Sequence, residues 1–62
     1  MLNTHIIAHT VSQTLNTTAD RYTQIFAIKK ALINEGLDIF ATDRETIDGI
    51  LDILYSEYNF QA

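Results

Sequence analysis

Hydrophobic positions fall into three stretches of the chain, and in each the spacing follows the period of an α-helix. In the first stretch Ile7, Val11 and Leu15 recur every four residues, and Asn3 or Thr4 can cap the first turn. We therefore predict a helix over about residues 3–16. The polar segment TLNTTAD that follows is rich in β-branched threonine, a weak helix former, and predicts a turn.

The second stretch predicts a helix over about residues 18–35 with a broad apolar face. Thr17 and Asp20 imitate a capping box at its start, and Gly36 follows its last turn, where a left-handed residue often ends a helix. Residues 37–41 then connect to the third stretch and form either a short strand or, as we favour, an ordered loop that adds apolar side chains to the core. The apolar face of this helix contains Tyr22, Ile25, Phe26, Ile28, Leu32 and Ile33.

The third stretch predicts a helix over about residues 43–58 that Thr42 and Glu45 begin with a capping box. Its apolar arc spans roughly 200°, about twice the stripe that suffices for an ordinary surface helix. Two short helices can cover only part of such an arc, so we expect a second copy of the chain to cover the rest. The arc contains Ile47, Ile50, Leu51, Ile53, Leu54, Tyr55 and Tyr58.

Length and composition support the same picture of an all-α three-helix domain completed by homodimerisation. The chain has 62 residues, so residues 1–62 form one domain, and a domain of this size has only marginal stability. It has no cysteine, which excludes disulfides and thiolate metal sites as reinforcement. Oligomerisation is one of the remaining ways to stabilise so small a scaffold.

The charge is acidic and uneven along the chain. Eight acidic residues oppose four basic ones, giving a net charge of −4, and an acidic balance argues against nucleic acid as a partner. Glu45, Asp48 and Asp52 share the outer side of the third helix. They form either a solvated surface or a contact face for a basic partner protein.

Lys29 is unusual because it projects from the middle of the second helix's apolar face. Its stem can cover apolar surface while its amine reaches water. Alternatively the amine pairs with Glu57 or Asp43, of the same or a second chain, at a subunit interface. The residues predicted to form a dimer or partner interface are Lys29, Ile50, Ile53, Leu54, Tyr55, Tyr58 and Phe60.

Two histidines and the absence of catalytic motifs complete the sequence-based expectations. His5 and His9 have the spacing of a metal chelate but lack the glutamate of H-E-x-x-H, so we expect surface histidines and no metal or cofactor. No nucleophile motif or glycine-rich phosphate loop is present, which predicts a protein without catalytic residues. The short apolar N-terminal segment has no preceding basic residue, and no run is long enough to span a membrane, so we expect a cytoplasmic protein.

We therefore predict a small acidic non-enzymatic interaction module that modulates or inhibits a partner protein. Its size and character suit an accessory protein of a phage or mobile element. The alternative is a small transcriptional regulator, because residues 33–54 have the helix, turn and helix order of a degenerate helix-turn-helix. Such a regulator would contact DNA directly or through a DNA-binding partner, although its second helix would turn four acidic residues toward the phosphates.

Overall fold

The computed structural model describes residues 3–37 and 43–61, and within them it contains three α-helices and no strand. These are α1 (Thr4–Thr14), α2 (Arg21–Asn34) and α3 (Arg44–Glu57). Each helix packs against the other two. The predicted all-α, three-helix class is therefore confirmed. Four residues of the predicted connector, 38–41, lie outside the described residues, and Leu37 is exposed rather than in the core.

Helix α1 begins one residue later and ends two residues earlier than predicted. The Asn3 side chain accepts hydrogen bonds from the backbone N–H groups of His5 and Ile6, at 3.0 and 3.3 Å. This confirms Asn3 as the cap. At the other end Leu15 already has an extended backbone, with φ −113° and ψ 137°. The threonine-rich segment that follows is a turn, as predicted.

Helix α2 begins three residues later than predicted because Asp20, not Thr17, caps it. The Asp20 carboxylate accepts from the backbone N–H of Thr23 at 2.8 Å. The hydroxyl and the backbone N–H of Thr23 lower the pKa of this exposed carboxyl below its ordinary 3.8. Thr17 instead lies in the turn, where its carbonyl accepts from the N–H of Gln61 at 3.1 Å.

Helix α3 repeats this arrangement. Asp43 is the cap and accepts from the backbone N–H of Thr46 at 2.8 Å, which shifts the predicted cap by one residue. Thr42 lies outside the described residues, and the capping box predicted for it is wrong because Asp43 holds that position. The hydroxyl and the N–H of Thr46 lower the pKa of Asp43, as Thr23 does for Asp20.

Gly36 ends α2 as predicted. Its φ of +82° is left-handed, and the N–H of Leu37 donates to the carbonyl of Leu32 at 3.0 Å. The N–H of Gly36 donates to the carbonyl of Ile33 at 2.9 Å. Together these two bonds are the Schellman motif, in which a residue without a Cβ takes the left-handed position.

One apolar core joins all three helices and the C-terminal segment. On α3, Ile50, Leu51 and Leu54 are completely or almost completely buried within the single chain. The expectation that a second chain is needed to cover these three residues is therefore wrong, while Ile47, Ile53, Tyr55 and Tyr58 of the predicted arc are half-buried. Phe60 adds to the cover, since the segment after α3 turns back and places its ring in the same core. The remaining core residues are Ile7, Ala8, Val11, Ile28, Ala31 and Leu32.

Candidate protein-interaction surfaces

The large apolar side chains that stay exposed are concentrated on α2. Tyr22, Phe26 and Ile33 are 88%, 67% and 51% exposed, and the exposed Lys29 lies between them. Their spacing of four, three and four residues places all of them on one side of the helix. These residues, Tyr22, Phe26, Lys29 and Ile33, are called the α2 row below.

The α2 row is exposed because apolar residues occupy a larger part of the circumference of α2 than α1 and α3 cover. The sequence predicts one broad face that includes both Ile28 and Phe26. In the structure α1 and α3 cover the arc centred on Ile28, where Leu32 and Ala31 are also buried. Phe26 lies on the other side of α2, at about 160° from Ile28 at 100° per residue. The exposed apolar side chains of α2 were not predicted, since the sequence-based expectation placed the uncovered apolar surface on the third helix.

Lys29 lies in the exposed row, and it lines an open hollow of about 430 Å³ with Arg21, Tyr22 and Ile25. Its two predicted acidic partners have other roles in this chain. Glu57 Oε2 is 3.4 Å from His5 Nε2, and Asp43 caps α3. Across residues 3–37 and 43–61, Lys29 makes no ion pair within its own chain. A pairing with a second chain stays a prediction.

The predicted acidic face lies on the exposed side of α3. Glu45 and Asp52 are exposed, and Asp48 is half-buried. The predicted pairing of Arg44 with Asp48 is present, with Nε and Oδ2 3.8 Å apart. Helix α2, by contrast, carries basic residues and no acidic one. The two helices therefore present surfaces of opposite charge.

The structure separates the apolar residues of the predicted interface into two groups. Ile50, Leu54 and Phe60 are core residues, so a partner could contact them only if the domain opened. This prediction is corrected for these three, because the C-terminal segment and the other helices already cover them. Ile53, Tyr55 and Tyr58 are half-buried at the edge of the core. Of the predicted interface residues, Lys29 is thus exposed and Ile53, Tyr55 and Tyr58 are partly accessible in the folded chain.

The sequence-based reading missed Gln24, the one polar side chain that is buried among the described residues. Its Nε2 donates to the carbonyls of Ala19 and Gln61, both at 2.8 Å, and its Oε1 accepts from the hydroxyl of Tyr55 at 3.1 Å. It therefore ties α2 to α3, to the preceding turn and to the C-terminal segment. A signal was present, since Gln24 lies one turn before Ile28 on the core-facing side.

Both histidines lie on the outside of α1 and contact the last turn of α3. His5 pairs with Glu57 as described, and His9 Nδ1 is 3.4 Å from the hydroxyl of Tyr58. In the part of the chain that the structure describes, no group of three or more His, Asp or Glu side chains is arranged to hold a metal ion. These contacts link α1 to α3 at the surface.

Comparison with family models, with curated proteins and with solved structures finds no match to this chain. None of the three described helices has the length and apolar character needed to cross a lipid bilayer.

Proposed function

We propose that the protein is a non-enzymatic interaction module that works as a homodimer and modulates or inhibits a partner protein. The observation that carries this proposal is the α2 row. Among residues 3–37 and 43–61, the buried core contains none of these residues. Aligned exposed apolar side chains of this kind mark interaction sites on soluble proteins, whereas scattered ones do not.

The second copy is the occupant that we propose for the α2 row. Fully burying a large apolar side chain is worth about 1.5–3 kcal/mol, and a dimer would gain the share of this that corresponds to the exposed fraction of Tyr22, Phe26 and Ile33 on each copy. Homodimerisation was predicted from the excess apolar surface of α3. The proposal retains the dimer and moves its interface to α2.

The acidic face of α3 is the part of the proposal that concerns a different protein. In a dimer formed through α2, Glu45, Asp48 and Asp52 remain available, because they lie on another helix. Opposite charges across an interface raise the association rate and align the partners. We therefore propose a partner with a basic surface.

The cytoplasmic location stays a prediction.

The test measures how the partner associates when the α3 charges are removed. The protein is immobilised, its partner is captured from the cells that express it, and binding is then repeated with the purified partner. The double variant Asp48→Asn with Asp52→Asn should slow association severalfold at low salt, and less at high salt. The double variant Thr10→Lys with Gln13→Lys is the control, since it makes the same charge change on the exposed side of α1.

An unchanged association rate in the Asn variants would contradict the role of the acidic face. Capture of DNA would favour the alternative regulator. Its contacts would then come from Arg21, Lys29 and Lys30 on α2, because the exposed side of α3 repels phosphate. A gel shift at low salt with charge-removing variants of these three residues separates the two functions.

A further inference from the structure

We infer that α2 carries a docking site for an acidic helical segment of another protein, at the hollow of about 430 Å³ between Arg21 and Lys29. The segment presents an apolar side chain between two carboxylates. This inference goes beyond the proposed function, because it names a further partner and does not require the dimer. It is carried by the arrangement of the hollow and by the charge of the helices around it.

The hollow has a positive charge at each end and apolar side chains between them. Arg21, Ile25 and Lys29 are spaced four residues apart, so they follow one another along one side of α2. Arg21 and Lys29 are eight residues apart, which is about 12 Å along the helix. Tyr22 and the half-buried Ile25 complete the lining. A matching occupant therefore has an apolar group in its middle and a negative charge at each end.

Both cations of the hollow are accessible to an occupant. Arg21 and Lys29 are exposed, and neither forms an ion pair within the part of the chain that the structure describes. The adjacent carboxylate of Asp20 already accepts from the N–H of Thr23. Exposed ion pairs each contribute little energy, so the two cations align the occupant and apolar burial supplies most of the affinity.

The charge around the hollow determines which kind of partner it suits. Neither α1 nor α2 contains an acidic residue, and none lines the hollow. A carboxylate-bearing partner therefore meets complementary charge, which raises its association rate. Tyr22 and Phe26 are 88% and 67% exposed on the same helix, and a purely ionic ligand would leave both in water. The partner must therefore be acidic and apolar together.

Nucleic acid and lipid membranes fit these features less well than a protein segment. Phosphate contacts need clustered cations, and the lining of the hollow supplies two. Anionic membranes attract basic helices, but this chain has a net charge of −4. A protein segment can combine carboxylates with an apolar side chain at a fixed spacing.

The segment docks as a helix because α2 offers no backbone groups for pairing. An extended segment adds to the edge of a sheet, and the described residues contain no strand. A helix satisfies its own backbone and docks through side chains spaced by three or four residues. Two carboxylates eight residues apart on such a helix are about 12 Å apart, which matches the spacing of Arg21 and Lys29.

This docking site overlaps the surface proposed for the second copy. Tyr22 and Lys29 line the hollow and also belong to the α2 row. An acidic segment and a second copy therefore exclude each other. At low salt the charge of α2 favours the acidic segment, because two α2 helices carry charges of the same sign.

Binding of a designed peptide tests the site. The probe is a fluorescein-labelled, alanine-rich helical peptide with a central leucine and a glutamate four residues to either side. Its dissociation constant should lie below about 1 mM and rise with salt. The same peptide with glutamine in place of both glutamates should bind at least about fivefold more weakly. Equal affinity of the two peptides, or no saturable binding at about 1 mM, would overturn the inference.

A matched pair of double variants locates the peptide on the protein. Arg21→Gln with Lys29→Gln should weaken binding of the glutamate peptide at least about fivefold, with an unchanged helical circular dichroism spectrum. Lys30→Gln with Arg44→Gln removes the same charge from outside the hollow and should change the affinity less than about twofold. Equal weakening by the two double variants would show general charge attraction and overturn the site.

Two further measurements separate this inference from its alternatives. A DNA duplex or anionic lipid vesicles that bind the wild-type protein more tightly than the peptide does would overturn the assignment to a protein partner. Sedimentation equilibrium with the peptide should show that wild-type dimers become peptide-bound monomers. Peptide binding to a chain that is already monomeric without it would support the docking site and contradict the proposed dimer.

Discussion

Gln24 shows how a single buried amide can determine the packing of a small domain. Its side chain makes three hydrogen bonds, two to backbone carbonyls and one to a tyrosine hydroxyl. If the amide were removed, the groups that it contacts would lose a hydrogen-bond partner. A buried polar group without such a partner lowers the free energy of unfolding. The sequence could not reveal these partners, because two of them are backbone atoms outside the helices.

We expect Gln24→Ala to lower the free energy of unfolding by about 1–3 kcal/mol, because the carbonyls of Ala19 and Gln61 then lose a buried donor. Gln13→Ala is the control, since Gln13 is exposed on α1 and should change stability by less than about 0.5 kcal/mol. Urea unfolding followed by circular dichroism measures both. Equal midpoints for Gln24→Ala and the wild type would show that the amide is not a structural link.

The two capping aspartates predict how stability depends on pH. The folded-state pKa of both Asp20 and Asp43 is lowered from 3.8 by bonds from Thr23 and Thr46. A lowered pKa contributes stability that is fully present above pH about 4 and is lost as the pH falls through the folded-state value. The double variant Asp20→Asn with Asp43→Asn keeps a capping acceptor but does not titrate. Its thermal midpoint should fall less than the wild type's between pH 5 and 2, and an identical fall would contradict this account.

At the scale of the helices, the sequence predicts the presence of each helix more accurately than the residue at which the helix begins. The positions of the three helices and the end of α2 at Gly36 follow from apolar spacing and one glycine. The predicted starts of α2 and α3 are wrong because Asp20 and Asp43, and not Thr17 and Thr42, cap these helices. Both helices begin with the same D-R-x-T pattern, at Asp20 and at Asp43. That repetition was the available signal.

The two glycines should respond to alanine in opposite directions. Gly49 lies inside α3, and among the described residues no heavy atom comes within 4 Å of an added Cβ, so Gly49→Ala should stabilise the protein by about 0.5–1 kcal/mol. A Cβ added at Gly36 would also meet no heavy atom of the described residues within 4 Å, but Gly36 has a φ of +82°. Gly36→Ala should therefore destabilise the protein by about 1 kcal/mol through backbone strain. Urea unfolding measures both changes, and a shift in the same direction for both would contradict the assignment of Gly36 as a left-handed cap.

At the scale of the whole molecule, the sequence predicts exposed apolar surface on the third helix, whereas in the structure the large exposed apolar side chains lie mainly on α2. Apolar spacing gives the angular position of a residue around its own helix, whereas the covered arc depends on how the neighbours pack. The return of Phe60 covers α3, and no comparable segment of the described chain covers Phe26. The candidate site could be placed only after the packing of all three helices was known.

Sedimentation equilibrium of the wild-type protein and of Phe26→Lys, over a range of micromolar concentrations, tests the central claim that the α2 row binds a second copy. The wild-type protein should sediment with twice the mass of one chain, with no further growth at higher concentration. Phe26→Lys should be a folded monomer over the same range. A wild-type chain that remains folded and monomeric throughout would contradict the claim.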